Sequence, residues 1–203
     1  MAKRRTALYL LPLILAAAAA GYMVSRQLAA GPPVLVSGTA LPTPRVLPAF
    51  SLTDQDGAVF DNARLAGQPA IMFFGFTHCP DVCPTTLALM TQLVREPTLA
   101  GLRPVFVTVD PARDDARSLK QYVNAFGNAF SGLRGEEAQL APLLGALGVA
   151  HAILPLPGGG YTVDHSAAIY YLNDRGQWSA AFTPPFQLAD LRQDLARLVD
   201  GGY

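Results

Sequence analysis

The sequence predicts an α/β fold, a central mixed sheet with helices on its faces. Three observations point there. The runs "PAIMFFGF" (69–76) and "RPVFVTVD" (103–110) are apolar with little alternation, the pattern of strands buried on both faces. Elsewhere apolar residues recur three and four positions apart, as they do on one face of a helix. The two patterns take turns along the chain, the order that lays helices against a sheet.

The elements follow in sequence. "FSLTDQDGAVF" (50–60) predicts an N-terminal hairpin that turns at Asp56-Gly57. After the first buried strand, Pro84 followed by Leu87, Met90, Leu93 and Val94 predicts a helix starting just after Cys83. A proline suits a first turn, where its missing N–H would have had no helical partner. The second buried strand leads to a helix marked by Leu119, Tyr122, Val123 and Phe126, and Leu140, Leu143, Leu144 and Leu147 mark a third. "PLPGGGY" (155–161) breaks regular structure and reads as an exposed, mobile loop between strands. "SAAIYYL" and "QWSAAF" are strands joined through Asn173 to Gly176, and Leu188, Leu191, Leu195, Leu198 and Val199 form a last helix ended by Gly201.

Composition sets the class. With 51% hydrophobic and 15% charged residues the chain is too apolar to be disordered. Residues 1–5, with Lys3, Arg4 and Arg5, precede an uncharged stretch over 6–25. About 20 residues at 1.5 Å each span the hydrocarbon core of a bilayer, and the basic flank predicts a cytoplasmic N-terminus. The stretch reads as a single-pass anchor, with a cleaved secretory signal as the alternative. Either exports the rest, and a bacterial inner membrane with the domain facing the periplasm is the simplest address. Residues 26–47, rich in proline and glycine, read as a linker in which neither helix nor central strand forms. Residues 48–203 are then one domain, large enough to fold without a disulfide staple. From residue 48 on there are 10 basic and 15 acidic residues, a net −5, so no basic face exists to neutralise nucleic-acid phosphates.

Both cysteines of the chain lie in "FTHCPDVCPTT" (76–86). They follow a buried strand and precede a helix, where α/β sheets place ligand chemistry. The positive end of the helix favours thiolate, so both thiols are expected to be reactive. Four residues apart, Cys79 and Cys83 can share an ion or oxidise to a disulfide. Their spacing differs from the C-x-x-C of zinc sites and thioredoxins, and no second cysteine pair completes a tetrahedron. By itself the spacing leaves a plain disulfide, a redox couple and part of a metal site all open.

Three longer stretches narrow this. "FGFTHCPDVCPTTL" (74–87), "FVTVDPARD" (106–114) and "VDHSAAIYYLNDRG" (163–176) resemble, in order, the motifs of the Sco/SenC family of copper chaperones. The resemblance implies a thioredoxin-like fold on a membrane tether. It implies copper held by Cys79, Cys83 and His165 and passed to the dinuclear copper site of cytochrome c oxidase. The implied partners are the copper-accepting subunit of the oxidase and a periplasmic copper donor or thiol reductant. Two thiolates and an imidazole form a soft set that favours Cu(I), accommodates Cu(II) with an added ligand, and rejects hard ions. A rival reading makes Cys79 and Cys83 the redox pair of a thiol-disulfide oxidoreductase that reduces the oxidase's copper-accepting cysteines; a peroxidase is a fainter echo.

Other candidates have plainer readings. His78 points away from a site that uses Cys79, and His151 is a non-ligand. Met72 and Met90 are core side chains, although thioether sulfur is a soft ligand. Asp81 is expected to cap the helix after Cys83. Asp110 and Arg113 form either a strand-end ion pair or a device that orients a ligand or meets a partner. Phe73, Phe74, Phe76 and Trp178 belong to the core or the walls of the site.

Overall fold

A computed structural model describes residues 15–19, 21–22 and 31–203. The chain divides into a unit of residues 1–32 and a unit of residues 33–203. In the first, residues 15–19 and 21–22 are helical. The rest of the stretch read as an anchor, with the cytoplasmic N-terminus, lies outside the described residues. Among the described residues no helix is long and apolar enough to cross a membrane.

The second unit contains β1 (Gly38–Val46), β2 (Ser51–Asp54), β3 (Val59–Asp61), the single turn α1 (Asn62–Leu65) and β4 (Ala70–Gly75). Then come α2 (Val82–Val94), β5 (Arg103–Thr108), α3 (Ala116–Phe126), β6 (Ser131–Arg134) and α4 (Glu137–Leu147). The chain ends with β7 (His151–Pro155), β8 (Tyr161–His165), β9 (Ile169–Leu172), β10 (Gln177–Phe182) and α5 (Leu188–Asp200). Eight strands form one mixed sheet in the order β1-β10-β9-β4-β5-β6-β2-β3, and β7 and β8 form a separate two-stranded ribbon.

Strand β4 is the spine of the sheet. It pairs in parallel with β5 and antiparallel with β9, and all six of its residues are buried. Alternation along a strand sends side chains to opposite faces. Accordingly Ala70, Met72 and Phe74 enter one core cluster with β2, β3 and α4, while Ile71 and Phe73 enter another with α2, α3 and α5. Burying each large apolar side chain contributes about 2 kcal/mol, so a strand covered on both sides holds the two layers together. The predicted hairpin is β2–β3: Gly57 takes the left-handed φ of +85° its turn needs, and the Asp54 carboxylate accepts from the Asp56 and Ala58 amides.

The linker reading fails over residues 38–46. There β1 pairs antiparallel with β10 at the edge of the sheet. The register slips between Ala40 and Arg45, so Pro42 and Pro44 fall where no ladder hydrogen bond is required. What pins the segment is distant in sequence. The fully buried carboxylate of Asp194 on α5 accepts from the amides of Val36, Ser37 and Gly38 at 2.7, 2.8 and 3.2 Å. Strand β6 and the β7–β8 ribbon also went unread: Ser131–Arg134 has neither alternation nor β-branched residues, and much of the ribbon lies outside the core.

Replacing Asp194 by alanine leaves these amides without their acceptor and is expected to cost about 3 kcal/mol of folding free energy. Urea unfolding of the full chain should show a lower midpoint at unchanged slope. A shift under about 0.5 kcal/mol would mean that residues 36–38 are free of the domain.

Candidate metal centre

The cysteine loop grows out of the end of β4. The Cys79 amide donates to the Phe76 carbonyl at 3.2 Å, closing a turn, and α2 starts at Val82, so that Cys83 falls inside the first helical turn. This start is slightly earlier than the proline suggested. Asp81 sits in the capping position, yet its side chain makes no capping hydrogen bond. Its backbone (ψ −68°) is not the extended one that aims a cap at the helix. The Cys83 amide instead donates to Sγ of Cys79 at 3.4 Å. The Cys79 sulfur therefore serves the helix end that an aspartate was expected to serve.

Cys83 is fully buried against β4. A Cβ at Gly75 would stand 2.6 Å from its Sγ and 3.0 Å from the Phe106 ring, so only glycine lets the thiol lie on the strand. His165 arrives from the other side. Because β9 pairs with β4, with Ile169 opposite Phe73, the chain entering β9 lies near the cysteine end of β4. The imidazole stands edge-on to Phe73 and Phe76, at centroid distances of 5.9 and 5.8 Å. Its Nδ1 is 3.1 Å from the Ser166 carbonyl. A carbonyl only accepts, so Nδ1 carries the hydrogen and Nε2 keeps its lone pair. That lone pair faces Sγ of Cys83 at 3.4 Å.

The two sulfurs and Nε2 all lie within 4.8 Å of one another. Bonds of about 2.0–2.3 Å to one ion put three trigonal donors roughly 3.8 Å apart, so the group fits a single soft ion with sub-ångström adjustment. Electrostatics depart from the reading of the sequence. Burial pushes the Cys83 thiol well above its ordinary range, and the hydrogen bond its thiol donates to Cys79 adds to the rise, against a smaller lowering by the Phe76 backbone. Burial also lowers His165, against smaller opposing effects of the Ser166 carbonyl and Asp164. Both shifts favour the uncharged forms, so Cys83 faces His165 as a neutral thiol against a neutral imidazole.

The remaining candidates are now placed. His78 is exposed beside Asp114, with Nδ1 3.5 Å from its Oδ1. His151 lies opposite His165 in the β7–β8 register, but its Nε2 faces Glu137 at 3.4 Å. Neither belongs to the three-donor group. Met72 and Met90 are fully buried in the two core clusters, as expected. Phe74 and Trp178 pack on Tyr170, away from the imidazole that Phe73 and Phe76 flank. Asp110 and Arg113 are an ion pair at 2.5 Å that also engages Tyr161.

Sequence reasoning missed Gly75, Asp114 and Tyr161. Buried Asp114 accepts from the Thr77 amide (2.9 Å), the Thr77 hydroxyl (2.6 Å) and the Thr108 hydroxyl (2.6 Å), tying the cysteine loop to the end of β5. Its signal was its place in the second motif; Gly75 and Tyr161 offered none beyond lying beside motif residues.

Comparisons with known proteins follow the same outline. The SCO1/SenC family model matches residues 38–200. The mitochondrial SCO2 homolog of Mus musculus is 43% identical over 132 residues, covering 63% of this chain and 52% of its own, so the chain spans about half the length of that relative. Bradyrhizobium japonicum ScoI, solved with copper bound, is 34% identical with a TM-score of 0.67 over 75% of this chain and 98% of its own. Yeast Sco1, also solved with copper bound, is 30% identical with a TM-score of 0.68 over 76% and 88%. This chain shares the α/β, thioredoxin-like fold of these two solved structures.

The unequal burial of the thiols has a consequence in the reduced, metal-free chain. Iodoacetamide at pH 8 should alkylate the partly exposed Cys79 at least tenfold faster than Cys83, by mass mapping of the modified peptides. Equal rates would contradict the buried neutral thiol.

Proposed function

The chain belongs to the SCO1/SenC family, and from that premise we propose that it is a copper carrier. It holds one copper ion through Cys79, Cys83 and His165 and hands it to the dinuclear copper site of cytochrome c oxidase. It works at the periplasmic face of a bacterial inner membrane, tethered by residues 6–25. The observation that carries the reading is the convergence of two sulfurs and a neutral Nε2 within 4.8 Å. The copper-bound state of two relatives supports it.

The chemistry suits transport. Copper entering as Cu(I) displaces thiol protons, and the resulting thiolates and imidazole are soft donors matched to it. Three donors leave the ion open on one side, where a ligand of the receiving protein can bind before one of the carrier's lets go. His165 is suited to leave first, since its Nε2 departs as a neutral group that the Ser166 carbonyl keeps in the right tautomer.

A second reading keeps one specific support. An accessible Cys79 beside a buried Cys83 is the arrangement of an attacking and a resolving thiol, which a reductase of the oxidase's copper-accepting cysteines would need.

Anaerobic Cu(I) titration of the reduced full chain, followed by X-ray absorption, should find one copper with two sulfur neighbours and one nitrogen. Cys79→Ser or Cys83→Ser should abolish stoichiometric binding, and His165→Ala should weaken it at least tenfold. Affinity should fall as pH falls from 8 towards 6, by about tenfold per unit for each thiol proton displaced. The sign follows from Cys83, whose raised pKa keeps it protonated over this range. His165, lowered by burial, is already neutral near pH 7 and adds little. A chain that binds no copper yet reduces disulfides, with turnover unaffected by His165→Ala, is a reductase and not a carrier.

A further inference from the structure

We propose that Tyr161 is a positioning residue that sets His165 over Cys83, acting through a clamp on the turn after β5; as a statement about copper it rests on the carrier reading above. The clamp has three parts. Asp110, almost wholly buried where β5 ends, accepts from Arg113 Nε at 2.5 Å through Oδ2. Its other oxygen, Oδ1, accepts from the Tyr161 hydroxyl at 2.8 Å. Arg113 closes the triangle: Nη1 donates to the Tyr161 carbonyl at 2.9 Å, and the guanidinium carbon lies 3.8 Å from the Tyr161 ring centroid. One residue is thereby gripped at its backbone, its ring and its hydroxyl. Hydrogen bonds to charged groups are the stronger kind, and cation–π contacts add to them.

The position of Tyr161 gives the grip its meaning. Tyr161 opens β8 and His165 closes it. Strand β8 pairs only with β7, outside the eight-stranded sheet, and a lone two-stranded ribbon is marginally stable in water. Strand β7 adds little packing, with Ile153 and Leu154 exposed at 65% and 45%. The ribbon is held elsewhere by Val163 in the core and by Ser166, whose amide donates to the Ala150 carbonyl at 2.9 Å. The clamp is the anchor at its loop end. Arg113 also lies 5.6 Å from the Phe76 ring, which is T-shaped to the imidazole, so the guanidinium reaches both the strand that carries His165 and a wall of its pocket. Loosening Tyr161 lets β8 pivot about Val163 and uncovers the buried thiol.

The test uses the full chain with Tyr161→Phe, which keeps the ring and removes the hydroxyl, and Tyr161→Ala, which removes both. Asp194→Ala serves as a control that weakens the fold without touching the clamp. In the metal-free protein, Tyr161→Phe should speed alkylation of Cys83 and amide exchange over residues 162–165 about tenfold, and Tyr161→Ala more, with exchange in β4 unchanged. In the copper-loaded protein the same variants should lose Cu(I) to excess bathocuproine sulfonate faster by a similar factor. Asp194→Ala, which lowers the stability of the whole domain, should speed exchange in β4 at least as much as in residues 162–165 and so lack the ribbon-selective effect of the Tyr161 variants. Wild-type rates in both Tyr161 variants, or the same ribbon-selective acceleration in Asp194→Ala, would overturn the proposal. A wild-type chain that takes up no copper would reject the carrier reading alone, because the two metal-free measurements still decide whether Tyr161 places His165.

Discussion

A neutral thiol and a neutral imidazole meet at 3.4 Å between the sheet and the β7–β8 ribbon, and much of the domain's architecture serves that contact. Sulfur reaches the strand surface because Gly75 has no side chain in the way. The imidazole reaches the sulfur because β9 runs against β4 and delivers the preceding chain to the same end of the sheet. Two phenylalanine rings in T-shaped contact and one backbone carbonyl then hold the imidazole with its free lone pair inward. In a low-dielectric pocket such a pair stays uncharged, which keeps the cost of burying it low.

Both halves of the site are tethered to one place, the end of β5 and the turn that follows. Asp114 fastens the cysteine loop through Thr77. Asp110 and Arg113 fasten the ribbon through Tyr161. Two carboxylates four residues apart thus act on two segments that meet at the donor atoms and at the contact of Phe76 with the imidazole. A shift of this turn would move the sulfurs and the imidazole relative to each other, the kind of sensitivity the proposed carrier would use. The ribbon, with exposed aliphatic side chains and a glycine loop, is loosely packed and a natural place for such movement.

Much of this was readable in the chain. The unbroken apolar run at 69–76 announced the central strand, because a strand covered on both faces has no solvent side on which to place polar residues. The helical stripes led to α2, α3, α4 and α5, and the Asp-Gly turn led to β2–β3. Failures came where local chemistry and tertiary context disagree. Prolines and glycines made 38–46 read as linker, but an edge position with a slipped register and a distant aspartate made it a strand. The helix end argued for an acidic Cys83, but complete burial outweighed a partial charge. Asp81 had the right residue type for a cap and the wrong backbone for it.

Residue identity and spacing alone determined the family motifs, the two neighbouring thiols and the soft character of any ion they hold, since donor chemistry belongs to the side chain wherever it sits. Only the tertiary structure decided that His165, 82 residues from Cys83, completes the group while His78, next to Cys79, does not. The physical reason is that strand pairing converts sequence distance into contact: the antiparallel register of β9 on β4 sets which late residues reach the cysteine loop. Burial, which sets the protonation of both Cys83 and His165, is likewise a property of the packed chain and of no short segment within it.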